Sequence, residues 1–142
     1  MILLDTNVVS EAMRPWPEPG VIRWMDALPA SEVWISAITV AEIYQGVALL
    51  PEGMRKRVLF EMAYKMFAED FSGQCLPFDC QAAKEYAVVV AQRTYLGRPV
   101  SVEDAQIAAI SLAGDLVLAT RNVKDFSGIK GLEVVNPWAS GF

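Results

Sequence analysis

The sequence contains no histidine. That absence removes Ser-His-Asp and Cys-His mechanisms, His-ligated zinc and imidazole acid–base chemistry. Cysteine is nearly absent too, with Cys75 and Cys80 the only 2 and Pro77 between them. The spacing is not CxxC, and two thiols alone make no zinc site. Buried free thiols are the expected reading. No apolar run approaches the roughly 18 residues needed to span a bilayer. The N-terminus carries neither a basic n-region nor an extended apolar core, so a signal peptide is not expected. These absences together point to the cytoplasm. Bases are also short, 12 against 17 acids, for a net charge of −5. That argues against a protein that coats nucleic acid generally. It leaves room for a nuclease, because an acidic site that holds cations adds to the negative count.

With histidine gone, hydrolytic chemistry has to run through carboxylates, and a metal would serve them. The 142 residues suit a single domain, 1–142, with a buried core. A hydrophobic content of 54% with 20% charged residues excludes disorder.

Ile2-Leu3-Leu4 is a short apolar run that ends in Asp5, Thr6 and Asn7. It reads as a buried strand with turn formers after it. A short helix is expected over 7–13, stopped by Pro15 and Pro17, and a second over 19–28 with Pro19 in its first turn. Val33-Trp34-Ile35 reads as a strand, and Ser36 as the N-cap of a helix to about Leu49. After Pro51 and Gly53, residues 52–71 carry an amphipathic pattern. Val58, Met62 and Met66 lie along one line and Leu59, Ala63 and Phe67 along the next. Cys75-Leu76 suggests a brief strand. Asp79 caps a helix over 81–96, and Ser101 starts another that Gly114 terminates. Residues 116–119 and 133–135 are the last strands. Strands alternating with helices imply an α/β fold, an α/β/α sandwich around a central parallel sheet.

In such a sheet, ligands bind beyond the carboxyl ends of the strands. Asp5 belongs there, although an Asp in that place is equally a helix N-cap. Glu42 falls beside Ile38, Gln45 and Leu49 on a helix that looks packed on two sides. A carboxylate among apolar neighbours is costly unless paired, protonated or bound to a cation. Thr39-x-x-Glu42 also fits a capping box, but Ser36 is the better helix start. Asp104 shares a stripe with Ile107, Ala108 and Ser111, and Ser101-x-x-Asp104 is again a possible box. Its neighbour Glu103 points to solvent. Thr120-Arg121-Asn122 and Lys124-Asp125-Phe126 follow a strand and emerge at the same edge. Asn122 and Asp125 are both candidates for an outer ligand or for holding a water. Acids gathered without histidine suit a hard cation, Mg²⁺ or Mn²⁺, and phosphodiester hydrolysis by a metal-activated water.

Several stretches resemble PIN-domain endoribonucleases of the VapC/FitB toxin type. They are ILLDTNVVSE at 2–11, SAITVAE at 36–42, VEDAQIAA at 102–109, LATRN at 118–122 with Asp125-Phe126, and VNPW at 135–138. Their order spans essentially the whole chain. The resemblance implies an α/β/α sandwich, a dimer, and Mg²⁺- or Mn²⁺-dependent RNA cleavage. It also implies a small antitoxin protein as partner. By position Asp5, Glu42 and Asp104 match the family's principal acids, and Thr120 its supporting hydroxyl. The fourth acid's place holds Asn122; either Asp125 substitutes for it or Asn122 holds a water.

A mean hydropathy of +0.29 favours apolar surface buried by association. Met54, Met62 and Met66, beside Arg55, Lys56 and Arg57, suit a groove for another helix, with core filling as the alternative. The basic run reads as a solvated turn or a contact to RNA phosphates. One rival is a haloacid-dehalogenase-like phosphatase, but that chemistry wants a second acid where Asn7 stands. The other is a non-catalytic PIN-fold binding module.

Overall fold

Ile2, Leu3 and Leu4 form the central strand of a parallel sheet, as a short run of apolar residues buried on both faces should. The computed structural model describes residues 1–139. β1 (Ile2–Leu4), β2 (Val33–Ser36), β3 (Cys75–Leu76), β4 (Val117–Ala119) and β5 (Val134–Val135) make a 5-stranded sheet in the order β3-β2-β1-β4-β5. Every pairing is parallel; Leu3 lies opposite Trp34 on one side and Leu118 on the other.

Successive strand residues point to opposite faces, and the core divides accordingly. Leu3 and Leu118 pack with α5 (Cys80–Tyr95) and α6 (Val102–Gly114) through Ala82, Val89, Ile107 and Ala108. Leu4, Ile35 and Ala119 pack on the other face. There they meet α1 (Thr6–Ala12), α2 (Pro19–Asp26), α3 (Ala37–Ala48) and α4 (Met54–Lys65) through Val8, Val21, Ile43 and Ala63. The expected α/β/α sandwich is therefore present, with its helices split unevenly between the layers.

The caps follow the sequence. Ser36 Oγ accepts from the Thr39 N–H at 3.1 Å, Asp79 Oδ1 from Ala82 N–H at 3.0 Å, and Ser101 Oγ from Asp104 N–H at 3.2 Å. Each satisfies a helix-start donor that would otherwise lack a partner. Other details depart from expectation. The left-handed residue that ends α6 is Asp115, at φ 54°, not Gly114. A Cβ at Gly114 would press on the end of the Leu116 side chain, which would have to shift. The pattern over 52–71 divides into α4 and a π-helical turn, Met66–Asp70, which leads into buried Phe71. Cys75 and Cys80 are exposed rather than buried. The first lies on a two-residue edge strand, and the second in the first turn of α5.

Arg93 is a feature that periodicity did not reveal. It is 5% exposed, yet none of the ion pairs among the described residues involves it. Its guanidinium donates instead to the carbonyls of Arg98 at 2.7 Å, Ser127 at 2.6 Å and Lys124 at 3.2 Å. Converging carbonyl dipoles replace the hydration the cation has lost. These bonds tie the end of α5 to the loop after β4. Arg93→Ala is expected to lower stability by about 2–3 kcal/mol, since hydrogen bonds to charged groups are the strong ones. Urea unfolding at unchanged m-value checks this.

Candidate functional site

The chain runs from β1 outward to β2 and β3, then returns to add β4 on the other side of β1. This reversal opens a crevice at the carboxyl ends of β1 and β4. The Asp5 N–H donates to the Ala119 carbonyl at 2.9 Å, joining the two strand ends there.

Asp5 caps α1 and also lines the crevice. Its Oδ1 accepts from the Thr6 N–H at 2.8 Å as the N-cap of α1. Its Oδ2 accepts from Thr120 Oγ1 at 2.7 Å and from Asn7 Nδ2 at 3.3 Å. The residue is 4% exposed. Burial pushes its carboxyl above the ordinary range against the pull of the Thr120 and Thr6 bonds, and the charges of Glu42 and Asp125 add to the rise.

Glu42 lies on α3, where Ser36, not Thr39, is the cap. The capping-box alternative therefore does not hold. Glu42 Oε1 accepts from Thr6 Oγ1 at 2.6 Å, and Thr6 Oγ1 lies 3.0 Å from Thr39 Oγ1. A threonine has one hydroxyl proton. Thr6 directs its own to Glu42, so Thr39 is the donor of the second bond. The expectation of an α3 packed on two sides is corrected by Leu49, which is 79% exposed. The helix buries Thr39, Ile43 and Val47; on the Glu42 side Ile38 still packs against the α6 layer, and only the C-terminal end, at Gln45 and Leu49, is open.

Asp104 stands in the first turn of α6 above the buried stripe Ile107, Ala108 and Ser111. Its carboxyl is pushed up to about 6, first by desolvation and then by the charge of Asp5, with Asp125 and Glu42 adding to it. Glu103 is exposed. The acids of β1, α3, α6 and the β4 loop thus act within one electrostatic neighbourhood although they are far apart in sequence.

A cleft of about 420 Å³ takes in Asp5, Glu42, Asp104 and Asn122. Asp125 is exposed on a short 3₁₀ turn and does not line this cleft. Thr120 is fully buried, and its Oγ1 also accepts from the Asn122 N–H at 3.0 Å. Asn7 reaches Thr120 Oγ1 at 3.1 Å and accepts from the Arg121 N–H at 3.2 Å. An amide holding the β4 loop thus occupies the place where a phosphatase would need its second acid. Sequence reasoning also missed Glu11. It is 5% exposed, pairs with Arg14 at 3.2 Å and accepts from the Glu18 N–H at 2.9 Å. Its position on the buried side of α1 was the available signal.

Among the described residues, no three acid or cysteine side chains close around one point as a ready-made metal cage. A divalent cation that keeps most of its waters needs only one or two carboxylates. The all-oxygen donor set, and the raised carboxyls of Asp5 and Asp104, fit such a cation.

A second, apolar surface lies between α3 and α4, where Tyr44, Val47 and Phe60 line a cleft of about 500 Å³. Met54 and Met62 are 67% and 41% exposed and do not fill the core, whereas Met66 is half-buried against it. Lys56 is held locally, 2.6 Å from Glu52.

The PIN-domain family profile matches residues 2–132. The chain is 42% identical over 138 residues to toxin FitB of Neisseria gonorrhoeae, a match covering 97% of this chain and 99% of that protein. It is 37% identical over 138 residues to VapC ribonuclease Y4jK of Sinorhizobium fredii, covering 97% and 98%. Among solved structures, FitAB bound to an IR36 DNA fragment matches 100% of this chain and 99% of that one, with 40% identity and a TM-score of 0.92.

The raised Asp104 carboxyl has a measurable consequence. Between the ordinary value of 3.8 and about 6, the folded, metal-free protein binds more protons than the unfolded chain. Its stability therefore falls as pH rises through that window. Thermal melts of metal-free protein are expected to show this decline, and Asp104→Asn, neutral throughout, is expected to flatten it. An unchanged slope in the variant would rule Asp104 out as its source.

Proposed function

The chain belongs to the PIN-domain family, and on that premise we propose that it is a metal-dependent endoribonuclease, the toxin of a toxin–antitoxin pair. The observation that carries the reading is the meeting of Asp5, Glu42, Asp104 and Asp125, from separate elements, in one field at the crevice between β1 and β4. Its relatives' names, a toxin and a VapC ribonuclease, give the substrate class.

Asp5 and Asp104 would hold the metal, Mg²⁺ or Mn²⁺, and Glu42 would orient a water beside it. Asn122, which lines the cleft, fills a weaker outer position, and Asp125 contributes through its charge. When bound, such an ion supplies a more acidic water and stabilises the leaving oxygen of a phosphodiester. The protein's own part is positioning. Thr120 and Asn7 fix one Asp5 oxygen while the Thr6 N–H fixes the other. The Thr6 hydroxyl aims Glu42 into the cleft. Such fixed donors cost no reorganisation during reaction.

We assign RNA as substrate, a cognate antitoxin as partner and the cytoplasm as the place of action. No helix of the described residues is long and apolar enough to cross a membrane. The exposed methionines of α4 and the apolar cleft beside α3 support an antitoxin helix docking there. Val88, Tyr95 and Leu96, exposed along the end of α5, support a second apolar contact, which we assign to a copy of the same chain. The whole chain is read as one domain.

Asp5→Ala and Asp104→Asn are each expected to reduce RNA cleavage with Mg²⁺ or Mn²⁺ by at least about 100-fold, since the ion's share of the barrier is several kcal/mol. Circular dichroism should show an intact fold, and chelation should silence the parent. Asp5→Ala protein that cleaves as fast as the parent would overturn the assignment. Expression of the chain alone, with cellular RNA ends mapped against an Asp5→Ala control, names the substrate.

A further inference from the structure

Four acids and two arginines line the cleft: Asp5, Glu11, Glu42 and Asp104, with Arg14 and Arg121. A site this acidic repels a polyanion unless a cation offsets it. Arg14 is already engaged, its Nη1 lying 3.2 Å from Glu11 Oε1. Arg121 differs. Among the described residues its guanidinium makes no ion pair and donates no hydrogen bond. It lies instead over the Trp138 ring, 5.1 Å from the centroid. Trp138 lines the same cleft.

Both members of this stack are anchored by their backbones. The Arg121 N–H donates to Asn7 Oδ1 at 3.2 Å, and Asn7 also holds Asp5. The Trp138 N–H donates to Asn136 Oδ1 at 2.9 Å. A guanidinium lying on an aromatic face keeps its donors at the rim of the plane. Its position is thereby tied, through Asn7, to the carboxylate at the centre of the site.

We propose that Arg121, held on Trp138, is a phosphate clamp that seats a backbone phosphate of single-stranded RNA beside the acids. This rests on the ribonuclease reading above. The two bind as a unit: Arg121 supplies the charge and a planar pair of donors, and Trp138 supplies the orientation. Lysine supplies the charge without the fork or the stack.

The test uses the full chain, free of partner, and a fluorescence-quenched, random-sequence 12-nucleotide single-stranded RNA with Mg²⁺. Cleavage is followed across a series of KCl concentrations. Arg121→Ala is expected to raise KM about tenfold with kcat within about twofold. It should also flatten the dependence of log(kcat/KM) on log[KCl] by about 0.7, one phosphate contact on a single strand. Arg121→Lys should restore the salt slope and only part of the affinity. Trp138→Leu should raise KM while keeping the slope. A parent-like KM and salt slope in Arg121→Ala would overturn the clamp. So would parent-like RNA kinetics combined with a lost affinity for an antitoxin, which would make Arg121 a protein contact. The ribonuclease reading is judged separately in the same assay: cleavage by the parent that disappears in Asp5→Ala upholds it whatever Arg121 does. A parent that cleaves no RNA removes both.

Discussion

Mutual repulsion among carboxylates is the constraint around which this molecule is arranged. Burial raises the carboxyls of Asp5 and Asp104, and the charges of Glu42 and Asp125 raise both further. In water such a group of acids would disperse. Here each principal acid is held by an element whose own stability lies elsewhere: Asp5 by the central strand, Glu42 by α3, Asp104 by the first turn of α6. Packing on both faces of the sheet supplies the free energy that keeps these like charges at one edge.

The donors at that edge are arranged to suit this strain. Hydroxyls and amides, not cations, touch the acids: Thr120 and Asn7 on Asp5, and Thr6 on Glu42. A lysine or arginine in direct contact would neutralise the carboxylates and leave little for a divalent ion to bind. Neutral donors orient the oxygens and leave the negative charge in place. The paired arginine of the cleft, Arg14, goes to Glu11, which is a buried acid of α1. Arg93, the other cation that matters, is held by carbonyls on the far side of the β4 loop. The Arg14–Glu11 pair shares the cleft with Asp5, Glu42 and Asp104, but Arg14 pairs with Glu11 rather than with any of those three.

Two surfaces follow from how the helices divide. The sheet needs one helical layer on each face, and α5 with α6 completes the first. The other layer holds four helices, and the last of them, α4, buries Ala63 alone of its own residues. Leu59 is half-buried against α1 and α3, while Met54, Val58, Phe60, Met62 and Tyr64 are exposed. Such a cluster of exposed apolar residues is the kind of surface that association buries.

Much of this was legible in the chain itself. Short apolar runs and helical periodicity located the elements, and Ser36, Asp79 and Ser101 announced their helix starts through chemistry local to a single turn. The absence of histidine and the stripe beneath Asp104 narrowed the chemistry to acids. The readings that failed needed information from across the fold. Gly114 was read as the helix stop, and α6 does end there, but the left-handed cap falls one residue later, on Asp115. Cys75 and Cys80 were read as buried by residue type, but an edge strand and a helix start leave them in solvent. Whether Asp5 faces the crevice or only caps a helix could not be decided along the chain; in the structure it caps α1 and also lines the cleft. Local hydrogen bonds and side-chain periodicity are properties of neighbouring residues, so sequence determined the elements and their caps. Which acids meet, and which hydroxyl holds each, depends on the order β3-β2-β1-β4-β5, and only the tertiary structure decided that.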